Sequence, residues 1–227
     1  MPLTRQGLIS SFGQACEVGN GAAFVGAGLS MGAGLPSWGS LLEAPRSESD
    51  VPTIDDLPLM AEYILAEGRY SRSRLEQHIL EATAAVGVEP TPALRHLVRL
   101  PVDQIWTTNY DPLIERASSE TDHSVIATDD DVRLIGRYKR SIIKMHGSIA
   151  SATATWTSPP VITRTDYETY ETRRLRTWAL LRATYLSKTH AVPRFQLLGS
   201  QHRDPPAPRP AVWDGSRGSS RGHSQPA

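Results

Sequence analysis

The chain has 227 residues with 24 basic and 24 acidic side chains, so its formal net charge is zero and we predict no nucleic-acid partner. Its one cysteine, Cys16, excludes an intrachain disulfide framework and a cysteine-rich zinc site, and we expect no metal. No run of about 18 apolar residues occurs, so we predict no membrane span and a cytoplasmic protein.

The first predicted elements are a helix over 3–18 and a buried strand over 22–25. This strand enters the glycine-rich stretch FVGAGLSMGAGLPSW at 24–38, where a backbone can approach a ligand closely. A helix after it would offer free amides to a pyrophosphate. Met31 occupies the place of the third glycine in G-x-G-x-x-G, so the glycines alone are equally compatible with a tight connection.

The later elements alternate between helices and strands. We predict helices over 54–67, 70–86, 90–100, 112–117 and 166–187, the last one continuous, and strands over 104–108, 124–127, 141–145 and, more weakly, 161–163. This alternation predicts an α/β fold with a doubly wound parallel sheet, whose ligands lie beyond the carboxyl ends of the strands. Because 26–30, Asn109 and His146 each follow a predicted strand, we expect them to meet at one crevice.

Two charged clusters are predicted to be solvated. Three adjacent aspartates at 129–131 cannot all reach one ion, so we interpret them as the exposed start of a helix. The arginines at 173, 174 and 176 are expected to form a solvated helix face.

Four motifs occur in order: GAGLS at 26–30, GLPSW at 34–38, TTNYD at 107–111 and KMHGS at 144–148. In these residues the chain resembles the SIR2 (sirtuin-like) superfamily, specifically its bacterial branch of NAD-consuming proteins. The resemblance covers residues 5–189. It implies a Rossmann-like NAD-binding domain with a small helical lobe, about 39–100, inserted after the first strand.

The resemblance also implies cleavage of the nicotinamide–ribose bond of NAD+. In the bacterial branch water is the usual acceptor, and NAD depletion serves defence against phage. Sirtuin deacylases use an acyl-lysine acceptor, and most carry a four-cysteine zinc ribbon that this chain cannot build, so hydrolysis is favoured over deacylation. A non-catalytic NAD or ADP-ribose sensor and an inactive fragment remain alternatives. A homo-oligomer or a defence-system partner also stays open.

The resemblance assigns the chemistry to Asn109 and His146. Loss of nicotinamide leaves an oxocarbenium-like ribose, which requires positioning more than a strong nucleophile. Asn109 would hold ribose hydroxyls or the attacking water, and His146, with an ordinary pKa near 6.5, would accept a proton. Asp111 would orient Asn109 or its loop, and Trp38 would either cap the pocket or simply pack. The other expected NAD contacts are Gly26, Ala27, Gly28, Ser30, Gly34 and Pro36.

The stretch 190–227 departs from the family. Relatives follow the long helix with an apolar strand and a motif like FxGFSxxDPN, whereas 190–204 reads HAVPRFQLLGSQHRD. Permitted codons for this stretch, read one base later, give MLFLGFSSSDPNIE. Our hypothesis is that 190–227 is out of frame and disordered. The nucleotide sequence of the gene tests this frame-shift hypothesis, which fails if the alternative reading frame lacks GFSxxDPN.

Overall fold

The computed structural model describes residues 4–192, and a five-stranded parallel sheet lies at their centre. Its strands are β1 (Gly21–Val25), β2 (Gln104–Thr107), β3 (His123–Ile126), β4 (Arg140–Lys144) and β7 (Thr189–Ala191). They lie side by side in the order β3-β4-β2-β1-β7. The predicted doubly wound α/β architecture is thereby confirmed. Two further short strands, β5 (Ser148–Ile149) and β6 (Trp156–Ser158), pair as an antiparallel hairpin.

Most of the helices are preceded by an N-cap serine, threonine or aspartate. The side chain of that residue accepts a hydrogen bond from a backbone amide in the first turn of the helix. They are α1 (Arg5–Glu17), α2 (Gly28–Met31), α3 (Trp38–Glu48), α4 (Leu57–Ala66), α5 (Arg72–Thr83), α6 (Pro92–Leu97), α7 (Leu113–Ala117), α8 (Arg164–Glu168), α9 (Tyr170–Arg173) and α10 (Leu175–Ser187), with a 3-10 helix, η1 (Asp129–Leu134). None of these described helices is long and apolar enough to cross a membrane.

Both faces of the sheet are buried. Successive side chains of a strand point to opposite faces, and Ile105 and Trp106 of β2 accordingly belong to different hydrophobic cores. Ile105 packs in a core with leucines of α6 and α7, whereas Trp106 packs in a core that Trp178 of α10 adjoins. Helices therefore cover the two faces, as a buried parallel sheet requires.

A third core belongs to α3, α4 and α5, which lie between β1 and β2 in the chain. Its fully buried members include Leu42, Ile64 and Leu75. Helix α6, although inside the range expected for the lobe, packs its leucines against the sheet instead. Helix α3 was not predicted from the sequence; Pro45 lies inside it, where proline normally disrupts a helix.

The expected continuous helix over 166–187 is wrong, because the structure forms α8, α9 and α10 there. The chain turns at Arg174, with φ −130° and ψ 50°. Arg174 is only 9% exposed, and its guanidinium donates hydrogen bonds to the carbonyls of Ala127 and Pro159. The predicted solvated arginine face is therefore wrong at Arg174, where tertiary contacts override the helical pattern.

The aspartate cluster also differs from its prediction as a merely solvated helix start. Asp129 accepts hydrogen bonds from the amides of Arg176 and Thr177, at 2.9 and 3.0 Å, and so satisfies free donors in the first turn of α10. Asp131 forms a capping box with Thr128. The cluster thus joins η1 to α10.

Three differences concern strands. Residues 161–163 form no strand, whereas the hairpin of β5 and β6 was not predicted, because strands of two and three residues carry too little pattern. Strand β7 was not predicted either; it extends to Ala191, past the expected end of the domain at 189, and pairs with β1. The frame-shift hypothesis otherwise concerns residues that lie outside the described ones.

Candidate active site

The segments that follow β1, β2 and β4 line a cleft of about 180 Å³. These strands are neighbours in the sheet, so their carboxyl ends meet at one edge. Of the residues singled out from the sequence, the cleft brings together Ala27, Ser30, Pro36, Trp38, Asn109, Asp111 and His146. Gly26, Gly28 and Gly34 are not among its lining residues, although the carbonyl of Gly26 contacts Asn109.

The loop after β1 is shaped by hydrogen bonds around Ser30. The Ser30 carbonyl accepts hydrogen bonds from the amides of Ala33 and Leu35. Gly34 has a φ of +88°, a backbone conformation that residues with a side chain rarely adopt. Helix α2 has only four residues, so the helix dipole contributes less here than a longer helix would. This loop therefore offers a ligand side chains and local amides rather than the dipole of a long helix.

Asn109 presents a free acceptor. Its side-chain Nδ2 donates to Ser30 Oγ at 2.8 Å and to the Gly26 carbonyl at 3.3 Å. A carbonyl accepts only from the NH₂ group, so the Gly26 contact fixes the orientation of the amide. Asn109 is 6% exposed, and its Oδ1 is buried with no hydrogen-bond partner among residues 4–192. Since buried polar atoms normally have partners, this oxygen fits a hydrogen-bond donor supplied by a ligand.

Asp111 acts on the loop rather than on the Asn109 side chain. Its Oδ1 accepts the amide of Leu113 at 3.1 Å, at the start of α7. Its main-chain carbonyl accepts a hydrogen bond from Lys144. The carboxylate therefore contributes to the shape of the segment that carries Asn109.

His146 lies two residues beyond β4, against two tyrosines. The ring of Tyr167 packs edge-on at 5.1 Å between centroids, and its Oη is 3.4 Å from His146 Nδ1. Burial, assisted by the positive charge of Arg174, lowers the pKa of His146 to about 4. The imidazole is consequently neutral at pH 7 and can accept a proton, but it is a weaker base than its ordinary pKa implies.

The lowered pKa of His146 predicts how stability depends on pH. The unfolded chain, with an ordinary histidine pKa near 6.5, binds more protons than the folded chain between pH 6.5 and 4. The stability that the lowered pKa of His146 provides is therefore complete above pH 6.5. As the pH falls towards 4, the free energy of unfolding decreases by about 3 kcal/mol. Urea unfolding at pH 7 and pH 4.5 measures this loss.

A His146→Gln variant provides the comparison for that experiment, because burial also lowers the pKa of His190. The variant should lose less stability than the unmodified chain over the same pH interval. Equal losses in the two proteins would show that His146 titrates normally.

Sequence reasoning missed Tyr167 and left Trp38 ambiguous. Tyr167 lies in α8, and only the folded chain brings it to His146; burial raises its pKa to about 12, so its hydroxyl stays protonated. Trp38 both lines the cleft and packs against Tyr110, with ring centroids 5.9 Å apart. The buried indole Nε1 of Trp38 has no partner in the described part of the chain.

Comparison with known proteins agrees with this geometry. A family model for the SIR2-like domain matches residues 103–204, a range that includes Asn109 and His146. The chain is 36% identical over 212 residues to the NAD(+) hydrolase ThsA of Enterococcus faecium, an alignment that covers 87% of this chain and 40% of that protein. It is 34% identical over 192 residues to the NAD(+) hydrolase ThsA of Bacillus cereus (strain MSX-D12), covering 82% of this chain and 38% of that protein.

A third relative, the NAD(+) hydrolase ThsA of Acinetobacter baumannii (strain 532279), is 32% identical over 195 residues, covering 83% of this chain and 38% of that protein. The chain thus spans about two fifths of the length of these relatives. The motifs, the parallel sheet with its cleft and these matches agree. The chain therefore belongs to the SIR2-like family.

Proposed function

We propose that this chain hydrolyses NAD+ at the nicotinamide–ribose bond, giving nicotinamide and ADP-ribose. The observation that carries the proposal is the buried, unpartnered Oδ1 of Asn109 in a cleft that His146 also lines. The relatives described above are named NAD(+) hydrolases, which supports NAD+ as the substrate.

The cleft suits the nicotinamide riboside half of NAD+. Its volume of about 180 Å³ is below the roughly 300–1,000 Å³ typical of sites for drug-sized ligands. Aromatic walls at Trp38 and Tyr167 and a few polar atoms are the usual lining of such a site. Ser30 Oγ already accepts from Asn109, so its own proton is free for a phosphate or hydroxyl oxygen.

In the proposed mechanism, the cleft holds the ribose while the bond to nicotinamide breaks and positive charge develops on the sugar. Asn109 Oδ1 accepts a hydrogen bond from a ribose hydroxyl or from water and thereby fixes its position. Water then adds to the carbon that nicotinamide left, and the neutral imidazole of His146 accepts the proton that this water loses. The products are ADP-ribose, nicotinamide and one proton.

The location, the biological role, the assembly and the choice of acceptor are proposals of the same kind. We expect the reaction to take place in the cytoplasm and, as the resemblance to the bacterial branch implies, to serve defence against phage. Assembly with further copies of the chain or with a defence-system partner is compatible with that role. Hydrolysis is favoured over acyl-lysine deacylation because the one cysteine cannot form the zinc ribbon of most sirtuin deacylases.

Nicotinamide release from NAD+ tests the proposal, with Asn109→Ala as the decisive variant. Removing the oxygen that positions the reacting group is expected to reduce release by about 100-fold or more. Asn20→Ala, at the far end of β1 from the cleft, is the matched control and should keep full activity. Chromatography of nicotinamide and ADP-ribose provides the measurement.

The outcomes separate the alternatives. Release that is unaffected by Asn109→Ala contradicts the assigned site. Release that requires an acyl-lysine peptide identifies a deacylase, and tight NAD+ binding by a folded chain without release identifies a sensor. A chain that neither folds nor releases nicotinamide is the inactive fragment.

A further inference from the structure

Lys144 is a buried charged residue to which the sequence analysis gave no role. It is the last residue of β4, two positions before His146, and its side chain is 0% exposed. Lysine is almost never fully buried unless it is paired. The contacts of this side chain therefore indicate what it does.

The ammonium of Lys144 has three partners, which matches its three donors. Nζ donates to the carbonyl of Tyr110 at 3.2 Å and to the carbonyl of Asp111 at 2.5 Å. It forms an ion pair with Glu115 Oε1 at 2.8 Å, and the Glu115 side chain is 13% exposed. The carboxylate thus balances a charge that would otherwise be buried alone.

These contacts connect the two segments that carry the proposed catalytic pair. Tyr110 and Asp111 directly follow Asn109, and Lys144 directly precedes the segment of His146. The Tyr110 carbonyl also accepts a hydrogen bond from the amide of Ile149 at 3.1 Å. This carbonyl is therefore bound by one residue before His146, Lys144, and by one residue after it, Ile149. In the sheet, Lys144 is in register with Thr107, whose Oγ1 accepts the Asn109 amide.

We propose that Lys144 is a positioning residue for the reaction. Its ammonium draws the carbonyls of Tyr110 and Asp111 towards β4 and thereby holds Asn109 at a fixed position relative to His146. This inference rests on the proposed NAD+ hydrolysis for its catalytic consequence, but the contacts to the 109–111 segment are independent of that function.

A double variant, Lys144→Met with Glu115→Leu, separates positioning from charge burial. It removes both charges together, so no unpaired ion is left in the core, and such replacements are often tolerated. We expect a folded protein whose kcat for nicotinamide release falls by about 20-fold or more, since small misplacements in a site are costly, while KM for NAD+ changes by less than about threefold. A role in stability alone would leave kcat of the folded variant unchanged.

Lys188→Met is the matched control. Like Lys144, Lys188 donates a hydrogen bond to a carbonyl, that of Gly19, and forms an ion pair with a carboxylate, that of Asp103. Its side chain is 13% exposed, and it lies at the opposite end of the sheet from the cleft. Its loss should leave kcat unchanged. If the apolar double variant does not fold, Lys144→Gln with Glu115→Gln removes the same charges and is judged by the same criteria.

Hydrogen–deuterium exchange of the 109–113 segment provides a second readout that needs no turnover. Exchange there should rise in the double variant and remain unchanged in Lys188→Met. A wild-type kcat in the folded double variant overturns the proposal. If the unmodified chain releases no nicotinamide, the proposed function fails, and unchanged exchange at 109–113 then rejects the positioning role as well.

Discussion

Replacement of His146 by alanine is expected to lower kcat for nicotinamide release by about 100-fold or more, because general-base catalysis typically contributes about 10²–10⁴-fold. His146 lines the cleft together with the free oxygen of Asn109, and its lowered pKa keeps it in the proton-accepting form at neutral pH. Since the base accepts a proton from the attacking water and not from NAD+ itself, NAD+ binding should change little. Steady-state kinetics together with calorimetric titration of NAD+ separate the two effects.

The matched control for this variant is His96→Ala. His96 is exposed on α6, away from the cleft, and its loss should leave kcat unchanged. If His146→Ala keeps more than about a third of the wild-type kcat, the proton acceptor must be another group or bulk water. A variant that no longer binds NAD+ would instead assign His146 to ligand binding.

Gly147→Ala is expected to destabilise the fold by about 3 kcal/mol, from backbone strain and steric overlap together. Gly147 has a φ of +112°, and a Cβ placed there would meet Pro160 Cα at 2.9 Å and the Pro159 carbonyl at 3.2 Å. Backbone atoms cannot rotate away as a side chain can. Either the 159–160 segment or the turn that carries His146 must therefore move.

Gly68→Ala measures the cost of a positive φ alone, without the steric overlap that Gly147→Ala adds. Gly68 also has a positive φ, +74°, but a Cβ there meets nothing within 4 Å, so the expected cost is about 1–2 kcal/mol. Chemical unfolding of both variants measures the difference. Equal losses would show that the 159–160 segment yields to the added methyl group and that the close approach has no energetic consequence.

The sequence predicted four strands of the central sheet, β1 to β4, because they are short apolar runs with clear ends, whereas β7 was not predicted. Each of β1, β2 and β4 is followed by a motif, and the rule that the ends of parallel strands meet at one edge was enough to bring Asn109 and His146 together. The elements that were predicted wrongly are determined by contacts with distant parts of the chain rather than by the local sequence pattern. The break at Arg174 arises from its bonds to two distant carbonyls, not from a local glycine or proline.

Within the site, the residue types were predictable and their states were not. The residues alone left Asn109 able to act as donor or acceptor, and only the contact with Gly26 shows that its oxygen is the free atom. The low pKa of His146 depends on burial and on Arg174, which the sequence placed on the surface. Tyr167 could not be found from spacing, because α8 reaches His146 only through the tertiary fold.

The arrangement of the cleft also has a consequence for folding kinetics. Asn109 hydrogen-bonds Ser30 across 79 residues of chain, and Lys144 reaches Asp111 across 33. Contacts of such sequence separation form slowly, since the entropy of closing long loops must be overcome before they stabilise anything. No short fragment holds the cleft, so on refolding its hydrogen bonds can form only after β1, β2 and β4 have paired. Recovery of NAD+ binding during refolding would therefore follow the last of these pairings rather than the appearance of helix.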